Sequence, residues 1–189
     1  MTRLTNQAHQ LIVAVLQPGE SAIDATAGNG HDTLFLCQTV GPEGRVFAWD
    51  IQQTALDQTA SVLERAGFSN CELLCCDHSR LGEITPADFH QRFGAIMFNL
   101  GYLPGGDHCQ ITQTDSTLAA INASFNLLRP GGILTILAYP GHSGGATETE
   151  AVSDLLAGLD PAAYQTELIF ASSESASAPR LFVVRKQAS

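Results

Sequence analysis

The chain has 189 residues, with nine Lys and Arg against nineteen Asp and Glu, for a formal net charge of −10. An apolar share of 44% and a charged share of 15% are the proportions of a folded domain with a sizeable core, and they exclude a disordered chain. No apolar run reaches the roughly 20 residues of a membrane span, and Met1-Thr-Arg-Leu-Thr-Asn lacks the two halves of a signal peptide. One domain over residues 1–189 is therefore expected, in the cytoplasm, with neither a membrane nor a DNA partner, and with no broad basic face.

In chain order, a helix is expected over Asn6–Leu16, then a short apolar strand over Ser21–Thr26. Gly28-Asn-Gly30 breaks that strand and opens a helix over Asp32–Val40. Gly41-Pro-Glu-Gly turns the chain into a strand over Arg45–Asp50 and a helix over Gln53–Ala66. A strand over Cys71–Cys76 leads to a short helical piece near Ser79–Gly82, then to a strand over Ala95–Asn99. A helix over Ser116–Leu128 ends at the turn Arg129-Pro-Gly-Gly, before a strand over Gly132–Tyr139. Thr147-Glu-Thr-Glu150 has the capping-box pattern at the start of a helix running to Leu159. Two last strands, Gln165–Ala171 and Leu181–Lys186, have only residues 172–180 between them, too few for a helical crossover. The pattern is α/β: a mostly parallel seven-stranded sheet covered on both faces, with a C-terminal antiparallel hairpin.

The stretch Asp24-Ala-Thr-Ala-Gly-Asn-Gly-His-Asp32 carries the chemistry. Strand, glycine turn and helix form a cradle in which backbone approaches a nucleotide-like ligand without a Cβ in the way, and free N–H groups wait at the helix start. A dinucleotide fingerprint needs a third glycine, and Thr33 stands there instead. Asp24, four residues before Gly28, completes the D-x-x-x-G-x-G pattern of S-adenosylmethionine (SAM) enzymes. A carboxylate there can hold the methionine ammonium directly or through water; the plainer alternative is that Asp24 caps the strand end. Asp50 ends the second strand about 20 residues beyond the glycines, where a carboxylate chelates ribose hydroxyls, and Gln52 can add to that contact. Asp77 and His78 end the third strand beside the expected adenine.

The fourth strand runs into Phe98-Asn-Leu-Gly-Tyr-Leu-Pro-Gly-Gly-Asp107, the position that faces the methyl group in SAM folds. Asn99 and Tyr102 match the ends of the Asn-Pro-Pro-Tyr pattern of amino-methylating enzymes, with Leu100 and Gly101 in place of the prolines. The asparagine accepts a hydrogen bond from an amine, and the aromatic ring packs on a flat substrate. His142, Asp107 and His108 are candidates for a base that removes the amine proton. Gly141-His-Ser-Gly-Gly145 also fits the hydrolase elbow G-x-S-x-G, but no histidine follows it to complete a triad. The glycine-rich loop is read as part of the acceptor pocket, lined by His142. The five cysteines contain no CxxC pair, so no metal is expected, and Cys71, Cys75 and Cys76 are read as small buried hydrophobes.

Residues 24–33, Asp50-Ile-Gln52, residues 98–107 and Tyr139-Pro-Gly-His-Ser-Gly-Gly145 resemble a family of small bacterial SAM-dependent enzymes formerly labelled rRNA methylases. Some members convert 5-aminomethyl-2-thiouridine at the tRNA wobble position to its 5-methylaminomethyl form. The resemblance implies a Rossmann-like class I SAM-dependent methyltransferase fold in a monomer or homodimer. It implies SAM contacts around Asn29, Asp32, Asp50, Gln52 and His78, and the substrate amine near Asn99, Tyr102 and His142. It also implies the anticodon loop of a tRNA as partner. Arg180 stands where relatives tend to be apolar. Two alternatives stay open: methylation of rRNA or of a small molecule, favoured by the acidic balance, and a nucleotide-binding module without catalysis.

Overall fold

The computed structural model describes residues 4–101, 112–171, 175 and 177–188. The elements are α1 (Leu4–Val13), β1 (Ser21–Asp24), α2 (His31–Val40), β2 (Arg45–Asp50), α3 (Gln53–Ala66) and β3 (Cys71–Cys75), then two single 3-10 turns (His78–Arg80 and Ala87–Phe89) around α4 (Leu81–Ile84). After them come β4 (Phe93–Asn99), α5 (Thr114–Leu127), β5 (Leu128–Ala138), α6 (Gly145–Ala157), β6 (Tyr164–Phe170) and β7 (Arg180–Lys186). The seven strands form one sheet in the order β3-β2-β1-β4-β5-β7-β6. β1 to β5 pair in parallel, and β7 lies antiparallel between β5 and β6. The expected hairpin is thus present, with its second strand inserted next to the parallel sheet.

Strand alternation sorts the apolar side chains onto two faces. Ile23, Trp49, Ile96, Phe98, Ile136 and Phe182 pack on one side with Ile121 and Phe125 of α5 and Val152 of α6. Ala22, Val46, Met97, Leu137 and Val183 pack on the other with Ile12 of α1, Leu36 and Val40 of α2 and Leu63 of α3. β4 is buried from Phe93 to Phe98 because it is covered on both faces and has a strand on each side. Chain direction across the sheet reverses between β1 and β4, and the carboxyl ends of those two strands open the crevice in which α/β sheets bind ligands.

Three local expectations need correction. Arg129-Pro-Gly-Gly is not a turn outside the strand: β5 begins at Leu128, and the segment forms an irregularity within it, since Leu128 pairs with Phe93 and Ile133 with Ala95. Gly131 at φ +71° permits this bulge, and the Arg129 guanidinium holds it by bonding both carboxylate oxygens of Glu20 at 2.6 and 3.0 Å. The capping box at Thr147 does not form either. α6 starts a turn earlier, with Gly144 at its N-cap, and Glu148 is buried against other partners. Finally, Cys75 is exposed and Cys71 and Cys76 are only half-buried, because β3 is an outer strand of the sheet and one of its faces meets solvent.

Candidate active site

A cleft of about 720 Å³ opens over the carboxyl ends of β1, β2 and β4. Of the sequence-predicted residues, Gly28, Asn29, Asp32, Asp50, Gln52, Asp77, His78, Asn99 and His142 line it together. Asp24 and Gly30 sit just behind that lining. Tyr102, like Asp107 and His108, lies outside the described residues.

The glycine turn is built from both sides. Gly30 is the N-cap of α2 at φ +79°, and a Cβ there would lie 2.9 Å from the Cα of Thr59 on α3, so only glycine lets the two helices meet. Thr59 also donates its hydroxyl to the Gly28 carbonyl at 3.2 Å. Asp50 accepts the Gly28 N–H at 2.9 Å through one oxygen and the Gln52 N–H at 2.9 Å through the other. The carboxylate that ends β2 therefore braces the turn that follows β1, and each of its oxygens keeps a further lone pair for a ligand.

Asp24 is 1% exposed. It accepts the Thr33 hydroxyl at 2.6 Å and the Thr26 N–H at 3.1 Å, which joins β1 to α2 beneath the cleft. Burial first, then the negative charge of Asp32, pushes its carboxyl up to about 7, against those two hydrogen bonds and with a smaller push from Asp50. Three carboxylates thus crowd one end of the sheet, and they make that end favourable to a cation.

Asp77 caps the turn His78–Arg80 by accepting the Ser79 N–H at 2.7 Å. Burial opposes its ionisation, but hydrogen bonds from Ser79 and the proximity of His78 prevail and hold the carboxyl below its usual range. His78 is buried edge-on against Phe98, with centroids 5.8 Å apart, and burial lowers its basicity below that of an ordinary histidine. His142 bonds the Ser143 carbonyl through Nδ1 at 2.9 Å. Gly145 makes room for it: a Cβ there would stand 2.3 Å from the Tyr139 carbonyl and 2.8 Å from Nε2 of His142.

Asn99 is held at two points. Its backbone N–H donates to the Thr26 hydroxyl at 2.7 Å, and its side-chain Nδ2 donates to Oδ2 of Asp32 at 3.3 Å. Sequence reasoning missed several neighbours. His9 of α1 reaches Oδ1 of Asp32 at 2.7 Å and stacks on Phe35 with centroids 3.8 Å apart. Thr112 takes the Gly101 N–H on its hydroxyl at 3.0 Å and gives its own N–H to the Gly101 carbonyl at 2.9 Å, which ties Gly101 to Thr112 at the cleft. Glu148, 3% exposed, accepts the hydroxyls of Thr112 at 2.8 Å and Thr117 at 2.7 Å. Neither His9 nor Glu148 stands in a glycine-rich turn or at a strand end, the signals that revealed the others.

Comparison with known proteins gives the family and the fold. The model of a family described as "Putative rRNA methylase" matches residues 46–185. A chloroplastic tRNA (mnm(5)s(2)U34)-methyltransferase of Arabidopsis thaliana is 41% identical over 166 residues, covering 83% of this chain and 60% of the relative. The chain thus spans about 60% of that curated relative's length. A crystal structure of a putative rRNA-methylase from Clostridium thermocellum superposes with a TM-score of 0.92 at 33% identity, over 98% of both chains. A crystal structure described as a putative methyltransferase from Streptococcus mutans, in complex with S-adenosylhomocysteine (SAH), superposes with a TM-score of 0.85 at 32% identity, over 98% of this chain and 99% of that one. The chain belongs to the rRNA methylase family and has its Rossmann-like methyltransferase fold.

Proposed function

We propose that this chain is a SAM-dependent RNA methyltransferase whose acceptor is an amine, most specifically the 5-aminomethyl group of a wobble uridine in tRNA. The observation that carries the reading is Asn99, anchored at the end of β4 and lining the same cleft as the glycine turn and Asp50. The family and the 41% identical tRNA methyltransferase support RNA as the substrate class.

The residues present suit SAM, a ligand with a sulfonium and an ammonium. Asp24 is raised first by burial and then by the charge of Asp32, and a cation offsets the second of these; Asp50 stands where ribose hydroxyls would be chelated. Gln52 adds to the ribose side, while Asp77 and His78, a ring of lowered basicity, face the adenine side. Bound SAM supplies an electrophilic methyl, which an amine lone pair takes as the carbon–sulfur bond breaks and its electron pair stays on sulfur. The chain's part is to align the amine and exclude water, which supplies most of such a rate. The Asn99 carbonyl accepts an amine N–H, with His142 on the same cleft wall. The secondary ammonium that results sheds its proton to solvent or a nearby base.

Charge narrows where RNA can lie. Arg45, Arg129 and Arg185 are paired with Glu72, Glu20 and Glu167, and Lys186 donates to the carbonyls of Phe125 and Leu128. Arg180 instead pairs in register with Ala138 at the carboxyl end of β5, beside Tyr139 and Ser177 of the cleft, and has no ion pair among the described residues. We assign it the phosphate nearest the reacting base.

Transfer of labelled methyl from SAM to tRNA bearing 5-aminomethyluridine tests the proposal, with rRNA and free nucleosides in parallel. A gain of one methyl group on the wobble nucleoside, seen by mass spectrometry after digestion, is expected. Transfer only to rRNA or only to free nucleosides would replace the tRNA reading.

A further inference from the structure

We propose that His9 and Asp32 form a positioning relay that fixes which way the Asn99 amide faces. The inference rests on the functional reading above in taking Asn99 as the amine acceptor.

A side-chain amide has two nearly isosteric ends, one a donor and one an acceptor. Only the carbonyl end can receive an amine N–H; the reversed amide would present its own N–H groups to the substrate's N–H groups. Something must therefore choose the orientation. Asp32 does so, because an ionised carboxylate only accepts. With Oδ2 of Asp32 at 3.3 Å, the Asn99 end that faces it must be Nδ2, and Oδ1 becomes the end available to a ligand.

Asp32 must in turn stay charged and still. It lies in the first turn of α2, where free N–H groups and the helix dipole favour an anion. Its other oxygen is taken by Nε2 of His9 at 2.7 Å, short enough for a charge-assisted bond. The His9 ring is parallel to Phe35 within 5°, at 3.8 Å between centroids, so α1 and α2 together fix its plane. The electrostatic reach of Asp32 is visible elsewhere: its charge raises both Asp24 and the phenol of Tyr139, in each case second to burial. The chain of contacts runs from α1 through α2 to the end of β4, and each link is a side chain with one compatible polarity.

The test combines kinetics with a measurement that needs no RNA. In the amine-methylation assay, His9→Ala is expected to lower kcat by about tenfold, the scale of a misplaced reacting group, with SAH affinity within about twofold of wild type. His9→Gln keeps an N–H donor toward Asp32 and recovers most of the rate. Asp32→Asn, which offers Asn99 a donor and so permits the reversed amide, costs more than His9→Ala. In the SAH-bound protein, the Asn99 side-chain amide resonances, assigned by their loss in Asn99→Ala, are expected to shift in His9→Ala and Asp32→Asn and to stay in place in His9→Gln. Unmoved resonances in the first two variants overturn the relay. So does a His9→Ala enzyme with unchanged kcat, or one that loses SAH affinity in parallel with rate. A wild-type protein that methylates no amine overturns the functional reading alone, and the amide resonances then decide the relay.

Discussion

Asp50 accepts the backbone N–H of Gly28 at 2.9 Å, across 22 residues of chain. One carboxylate thereby shapes the turn after β1 while it faces the cleft from the end of β2. Asp50→Ala removes the turn's brace and the proposed ribose contact together. SAH binding, measured by calorimetry, is expected to weaken by roughly ten- to a hundredfold, the loss of one to two charge-assisted hydrogen bonds. Unchanged affinity would remove Asp50 from the cofactor site.

Asn99→Ala separates acceptor from cofactor. The variant keeps the backbone bond to Thr26, so the end of β4 stays in place. Its kcat for amine methylation is expected to fall by about a hundredfold, as when a donor or acceptor at the reacting group is lost, while SAH affinity changes little. Equal losses in both would assign Asn99 to the cofactor instead.

The raised carboxyl of Asp24 makes stability depend on pH. Its folded value, about 7, exceeds that of the unfolded chain, so the folded state holds a proton that the unfolded state has already released. The stabilisation is complete below the unfolded value, near 4 for an aspartate, and is lost as pH rises through about 7. Asp24→Asn cannot ionise and is expected to flatten this fall. Urea midpoints of both proteins between pH 5 and pH 8 read the difference. Parallel slopes for variant and wild type would deny Asp24 its raised value.

Gly30→Ala is expected to destabilise the fold by about 1–3 kcal/mol, because it adds a left-handed backbone penalty to a steric conflict. The conflict is with the backbone of Thr59, which cannot swing away as a flexible side chain would. Thermal unfolding without ligand measures it; a melting temperature equal to wild type contradicts the close approach of α2 and α3.

Arg180→Ala tests the RNA path. A lost phosphate contact weakens binding to an anticodon stem-loop and lowers the slope of log affinity against log salt by about 0.7 to 0.9. SAH binding should not change. If RNA affinity and its salt slope are the same as wild type, the phosphate lies elsewhere.

Much of the site was legible because its signals are short-range. A strand that ends in Asp24, a glycine pair four and six residues on, and an acid at the end of the next strand are written within Asp24–Asp50. Parallel β-sheets bring successive strand ends to one edge, so Asp24, Asp50, Asp77 and Asn99 were expected together and are found at that edge. The misreadings came from patterns whose meaning depends on the neighbour. Arg129-Pro-Gly-Gly looks like a turn until Glu20 and β4 draw it into the sheet. Thr147 looks like a cap until Glu148 finds Thr112 and Thr117. Cys75 looks like core until its strand proves to lie at an edge of the sheet.

The sequence by itself determined the alternation of strands and helices, the glycine cradle with its strand-end acids, and the acceptor motif that begins at Asn99. Each depends on backbone preference and side-chain period over a few residues. The tertiary structure decided the partners: Thr26 with Asn99 across 73 residues, Glu148 with Thr112 across 36, and His9 with Asp32 across 23. It also decided that β7 enters between β5 and β6 and sets Arg180 opposite Ala138 at the carboxyl end of β5. Those pairings follow from strand order and helix packing, which depend on burying two apolar faces at once, and no local stretch of sequence contains that condition.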